Sequence, residues 1–192
     1  MVELLKHQQE FTDATEHEVM MLAPMATGKT FAQLYDAAQF AVKHPESIQI
    51  YLHDFGFMER SLNWECFGDC FKINRANRRV DFDNHSKILF NDIGQRMHRD
   101  WQFEKLKGLV IDVLRIDTDI FDMDYRFYRE NVLQIMRPPS CQPKQIKITA
   151  QDTLHSIVKG GRFKIIEAKE PNPYYIKLPE MFECEWIGNK NN

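Results

Sequence analysis

At 192 residues and 43% hydrophobic content, the chain can bury one substantial core, so a single domain is the starting expectation. A formal net charge of −3 excludes the strongly basic coat of a general nucleic-acid binder but leaves room for local basic patches. No apolar run approaches the ~20 residues of a membrane span, and Glu3, Lys6 and Glu10 break any early apolar leader, so a soluble cytosolic protein is expected.

Residues 2–16 predict a short helix with Leu4, Leu5, Gln8 and Phe11 on related faces. The Gln8 amide donates and accepts at once, as reading an adenine edge requires. On the helix alone, a solvated polar face is the stronger reading. Glu18–Ala23 predicts a strand, apolar enough to be a central parallel one.

That strand runs into Ala23, Pro24, Met25, Ala26, Thr27, Gly28, Lys29 and Thr30, an A-x-x-x-x-G-K-T form of the phosphate-binding loop. In such a loop backbone N–H groups point at an anion, and the following helix adds the positive end of its dipole. Lys29 would reach the β- and γ-phosphates, and the Thr30 hydroxyl would ligate Mg²⁺. A chance Gly-Lys-Thr is common, but a strand before and a helix after narrow the choice. From Thr30 to Lys43, Phe31, Leu34, Ala37, Ala38 and Ala41 keep helical spacing and stop before His44–Pro45.

Ile48–His53 predicts a second strand and Met58–Cys70 a helix. Arg79–Phe82 and Lys87–Phe90 flank a turn at Asp83–Asn84–His85, predicting a hairpin with one exposed face. Residues 94–107 are mixed. Gly108–Leu114 predicts a buried strand, near whose end Asp112 would serve as the second Mg²⁺ ligand beside Thr30. A helix comes next over about Phe121–Ile135, then a loop through Pro138, Pro139 and Pro143, a strand over Gln145–Ala150, the polar turn Gln151–Asp152–Thr153 and a last strand over Arg162–Ala168. The domain is expected over residues 1–168, and residues 169–192 as a tail that is extended or bound to a partner. Cys66, Cys70, Cys141 and Cys184 form no CxxC pair and have no nearby zinc partners, which reads as reduced intracellular thiols.

This order of parts is that of an α/β P-loop NTPase of the ASCE type: a mostly parallel sheet flanked by helices, with an added β-hairpin. It also resembles the ATPase domain of the tailed-phage terminase large subunit, the DNA-packaging motor. Leu5–Phe11 resembles that family's adenine-contacting segment, and Arg79–Phe90 its paired strands. Trp101–Gln102 and the run to Asp112 resemble the approach to its Walker B segment. Lys144–Ala150 resembles its coupling-motif strand, and His155–Phe163 the segment after that strand; the resemblance spans roughly residues 3–165.

The resemblance implies ATP with Mg²⁺ as ligands, held by Gln8, Ala23–Thr30 and Asp112. It implies double-stranded DNA and other packaging or virion proteins as partners, a homo-oligomeric ring, and a place in the host cytoplasm or on the virion. The departures bear on activity. The family's Walker B Asp is followed by a catalytic Glu, and Val113 follows Asp112 here. Met25 stands where the family commonly carries an arginine, and the coupling turn reads Gln151–Asp152–Thr153 rather than bearing Asn. The chain stops where the family continues into a nuclease domain, so nuclease activity is not expected. No catalytic residue is assigned, and whether the chain is an enzyme stays open. Three readings compete: a terminase-like ATPase that still turns over ATP, with Asp117, Asp119 or Glu104 substituting for the Glu; a degenerate relative that binds nucleotide, or only keeps the fold, in a structural or regulatory role; and an unrelated small P-loop enzyme such as a kinase. Within the terminase-like fold, nucleotide binding with weak or lost hydrolysis is the favoured expectation. Arg75–Arg79 and Lys159, Arg162 and Lys164 are the candidate DNA-phosphate contacts, with solvated loop charge as the alternative.

Overall fold

The computed structural model describes residues 4–24, 27–53, 69–91, 110–118, 144–150 and 163–168. In chain order these form α1 (Lys6–Asp13), β1 (Glu18–Leu22), α2 (Lys29–Lys43), β2 (Ile48–Leu52), β3 (Phe71–Asn74), β4 (Arg79–Phe82), β5 (Lys87–Asn91), β6 (Val113–Thr118), β7 (Gln145–Ala150) and β8 (Lys164–Glu167). The expected helices over Met58–Cys70 and Phe121–Ile135, the mixed stretch 94–107, the proline loop, the turn after β7 and the tail lie essentially outside the described residues.

The strands form one sheet in the order β3-β4-β5-β2-β6-β7-β1-β8. From β5 to β8 every pairing is parallel, and β3 and β4 add an antiparallel edge. The mostly parallel P-loop-type sheet and its hairpin are therefore present. Parallel strands bury both faces, which is why Val-Met-Met in β1 and Ile-Gln-Ile-Tyr-Leu in β2 are nearly continuous in apolar residues.

Helix α2 lies against this sheet on a row of small residues. Leu34, Ala37, Ala38 and Ala41 pack on Tyr51, Val80, Phe82, Ile88 and Phe90. A second cluster joins Phe11 of α1 to Ala32, Val19, Met21 and Ile166. Alanines let the helix approach closely, and close approach is what aligns its N-terminus with the end of β1. The β4–β5 turn secures the other end of α2. Asn84 donates from Nδ2 to the carbonyls of Ala41 (2.8 Å) and Val42 (3.1 Å), and the Ser86 hydroxyl donates to Ala41 (2.8 Å). Carbonyls that a helix end leaves without intrahelical partners are thereby satisfied.

Three boundaries differ from expectation. Helix α1 is shorter than 2–16 because Leu5 and Ala14 are both extended. Strand β3 was not anticipated: Phe71 and Ile73 alternate over only four residues, pairing with Phe82 and Val80. Strand β6 begins at Val113 and runs to Thr118, a shift of several residues from the expected Gly108–Leu114. That shift places Asp112 before the strand and Asp117 near its end.

Candidate nucleotide and metal site

The loop after β1 is anchored at both ends. Ala23 N–H donates to the Ala150 carbonyl at 3.1 Å, continuing the β1–β7 ladder. Gly28 caps α2 in the left-handed region (φ 78°, ψ 27°), a conformation in which a Cβ would clash. Its carbonyl accepts the first helical bond, from Ala32 N–H at 2.9 Å. Lys29 lies across the loop and donates to the carbonyls of Ala23 (2.9 Å) and Pro24 (2.7 Å). The Thr27 hydroxyl donates to the same Pro24 carbonyl at 2.9 Å. Met25 and Ala26 lie outside the described residues.

Gln8 is buried rather than solvated, and it grips this loop. Its Nε2 donates to the carbonyls of Thr27 and Gly28, both at 3.3 Å, while Oε1 accepts from Leu5 N–H at 2.9 Å. Both amide hydrogens are thus committed to the backbone of the loop. A 15-residue helix opening at a glycine, with a lysine ammonium over the turn and Thr30 in the first helical turn, has the donor set that suits a phosphate.

Asp112 does not belong to this group. It precedes β6, at the end of the sheet opposite the loop. Its Oδ2 accepts from Ile48 N–H at 2.9 Å, and its Oδ1 pairs with Lys144 Nζ at 2.6 Å. The carboxylate at the loop end of β6 is Asp117, whose register partner is Thr149, itself paired with Met21 near the end of β1. The two acids are five positions apart along extended chain, about 17 Å at ~3.3 Å per residue. Val113 likewise sits at the far end, fully buried and in register with Gln49 and Gln145. The residue next after the loop-end carboxylate is Thr118. The apolar run before Leu114 misled because the true strand carries polar residues whose partners come from distant elements.

Those residues form a polar seam under α2. Asp117 Oδ1 accepts from the Thr149 hydroxyl at 2.7 Å, and Oδ2 from the Tyr51 hydroxyl at 3.4 Å. Burial, and then the charge of Asp117, hold the Tyr51 phenol well above its usual range. Two residues back on each strand, Arg115 pairs with Lys147 in register. Both cations meet Asp36 of α2: Arg115 through Nη1, Lys147 through Nζ at 2.9 Å. Arg115 Nε also donates to Gln49 Oε1 at 2.7 Å, and Lys147 Nζ to the carbonyls of Phe11 (3.0 Å) and Thr12 (3.3 Å). Burial lowers the Lys147 pKa, with the Asp36 charge opposing it.

The hard oxygens of Asp117 and Thr30 are the ligand type that Mg²⁺ takes. A cleft of about 730 Å³ lined by Asp36, Ser47, Asp112, Lys144 and Lys147 opens at the far end and has no part in this set. Of the basic candidates, Arg75–Arg78 form the β3–β4 turn at the loop end of the sheet, while Arg79 is paired with Asp81 at 2.8 Å. Lys164 pairs with Glu16 at 2.7 Å, and Lys159 and Arg162 lie outside the described residues.

No protein-family model and no curated protein sequence matches the chain. Solved structures do. The ATPase domain of the Thermus phage P74-26 large terminase superposes with a TM-score of 0.64 at 11% identity, over 98% of this chain and 90% of that one. The large terminase of a thermophilic bacteriophage matches with a TM-score of 0.59 at 10% identity, over 90% of this chain and 50% of that one. A complex of that terminase with ADP matches with a TM-score of 0.56 at 10% identity, over 84% and 44%. The chain thus has the fold of phage large-terminase ATPase domains.

Proposed function

We infer that this chain is a terminase-like nucleotide-binding protein related to viral DNA-packaging ATPases. It binds ATP with Mg²⁺ through Gly28, Lys29, Thr30 and Asp117, and hydrolyses it slowly. The observation that carries this reading is the meeting, at one end of the sheet, of a glycine-capped loop under a lysine and a buried carboxylate held by two hydroxyls. ADP in a structure of the same fold agrees with it.

Each group has a distinct task. The Lys29 ammonium would exchange its carbonyl contacts for phosphate oxygens, and the N-terminus of α2 adds partial positive charge. Gln8 holds the loop backbone in the shape that this exchange requires. Mg²⁺, when bound, neutralises charge on the β- and γ-phosphate oxygens. Thr30 and Asp117 would supply its protein ligands, and Thr149 and Tyr51 fix the Asp117 carboxylate for that role. Slow hydrolysis is the consequence of Thr118: a neutral hydroxyl stands after the metal carboxylate, where general-base chemistry wants a second carboxylate.

Calorimetry with a non-hydrolysable ATP analogue, with and without Mg²⁺, tests the reading. Binding that tightens with Mg²⁺ is expected. The absence of heat at millimolar analogue, from protein shown to be folded, would overturn it.

A further inference from the structure

Resting on that reading, we propose that His7 and Gln8 are positioning residues for the phosphate-facing amides of the loop, and that Gln8 serves the triphosphate rather than the base. Both lie in the first turn of α1, Gln8 buried and His7 half-buried. His7 Nε2 meets the Thr27 carbonyl at 3.2 Å, where Gln8 Nε2 also donates at 3.3 Å. A carbonyl oxygen only accepts, so the His7 ring holds a proton on Nε2.

Donors and acceptors are matched throughout this contact. The Thr27 carbonyl receives His7 and Gln8, and the Gly28 carbonyl receives Gln8 and the Ala32 N–H. Two donors fill the two lone pairs of each oxygen. On Gln8 both Nε2 hydrogens go to the loop, and Oε1 accepts from Leu5 N–H at the start of its own helix. An adenine edge would need a hydrogen from that same NH₂ group, so reading the base would release the loop.

Holding a carbonyl also aims the N–H beside it. In a planar trans peptide the C=O and N–H bonds point in opposite directions. The Thr27 carbonyl shares its peptide with Gly28 N–H, and the Gly28 carbonyl shares its peptide with Lys29 N–H. Pinned toward α1, the two carbonyls turn these N–H groups to the opposite side, where the N-terminus of α2 favours an anion. A loop that already has this shape loses less freedom when a triphosphate binds.

The test uses the full chain and two ligands, a non-hydrolysable ATP analogue and inorganic tripolyphosphate, each with Mg²⁺. Tripolyphosphate has no base, so a residue that reads the base cannot affect it. Gln8→Met is expected to weaken both ligands by the same factor, about tenfold, as the loss of one or two neutral hydrogen bonds implies. His7→Phe, a second variant in case the first does not fold, is expected to weaken both equally by about threefold. His7→Gln offers an Nε2 donor again and is expected to recover wild-type affinity. A loss confined to the ATP analogue in Gln8→Met would overturn the proposal, because Gln8 would then be reading the base. So would wild-type affinity for both ligands in either folded variant, even with a lowered melting temperature, since the contacts would then serve stability alone. Wild-type protein that binds the analogue but not tripolyphosphate would overturn it as well. Wild-type protein that binds neither would instead overturn the nucleotide reading beneath it, a result recognisable before any variant is made.

Discussion

Lys29 shows how one side chain serves fold and site together. It is 7% exposed, and its ammonium closes the loop by donating to two backbone carbonyls. Lys29→Ala removes the lysine ammonium that lies over the loop, so nucleotide should no longer raise the melting temperature. A ligand at one hundred times its dissociation constant stabilises by about 2.7 kcal/mol, so the loss is easily read in a thermal shift. Retained stabilisation in Lys29→Ala would place the nucleotide elsewhere. Thr118 carries a second prediction, for turnover. Supplying a general base is worth about 10²–10⁴ in rate, so Thr118→Glu should raise steady-state phosphate release within that range. Brisk wild-type release that Thr118→Glu leaves unchanged would mean that another carboxylate does this work. Asp119 is then the first to replace.

At the scale of elements, α2 joins the sheet through a stripe of polar residues at Lys29, Gln33 and Asp36, one or two turns apart on a single face. The stripe meets alternating polar positions on two neighbouring strands, Arg115 and Asp117 on β6, Lys147 and Thr149 on β7. This pattern stands in the sequence as period two in Leu-Arg-Ile-Asp-Thr and Ile-Lys-Ile-Thr-Ala, facing period 3.6 in the helix. Without knowing that β6 and β7 pair in register, however, those residues read as surface. The parallel strands, α2 and the hairpin were legible because apolar periodicity and turn residues are local signals. Asp112 was misassigned because its role depends on which end of a strand meets the loop, and only the β6–β7 register decides that. Two buried cations share one carboxylate in the seam, which makes its members unequal. Asp36→Asn removes the carboxylate that both cations meet and should cost about 3–5 kcal/mol in chemical denaturation, whereas Lys147→Met leaves the Arg115–Asp36 pair and should cost far less. The reverse ranking would contradict the seam. Lys147 also gives a pH signature. Its pKa is lower folded than unfolded, so the unfolded chain binds more protons between the two values. Wild-type stability should therefore rise relative to Lys147→Met as pH increases through that alkaline window. Comparing the two proteins cancels the opposite contribution of Tyr51, whose raised pKa costs stability above its ordinary range.

At the scale of the whole molecule, a fold shared with phage terminase ATPase domains at 10–11% identity is carried by pattern rather than by wording. The β3–β4 turn brings Arg75 and Arg78, both exposed, to the end of the sheet where the loop after β1 lies. The sequence-based expectation that this turn contacts double-stranded DNA phosphates has a direct test. Each phosphate contact contributes about 0.9 to the slope of log affinity against log salt, so Arg75→Ala with Arg78→Ala should flatten that slope by about 2. An unchanged slope would remove the turn from any DNA surface. The placement of the metal carboxylate is the point on which the functional reading depends most, and one titration decides it. The Mg²⁺-dependent gain in affinity for a non-hydrolysable ATP analogue is measured for wild type, Asp117→Asn and Asp112→Asn. The gain should vanish in Asp117→Asn and persist in Asp112→Asn, which loses the ion pair to Lys144 and with it at most about 1 kcal/mol of stability. A gain that survives in Asp117→Asn and disappears in Asp112→Asn would contradict the site as described.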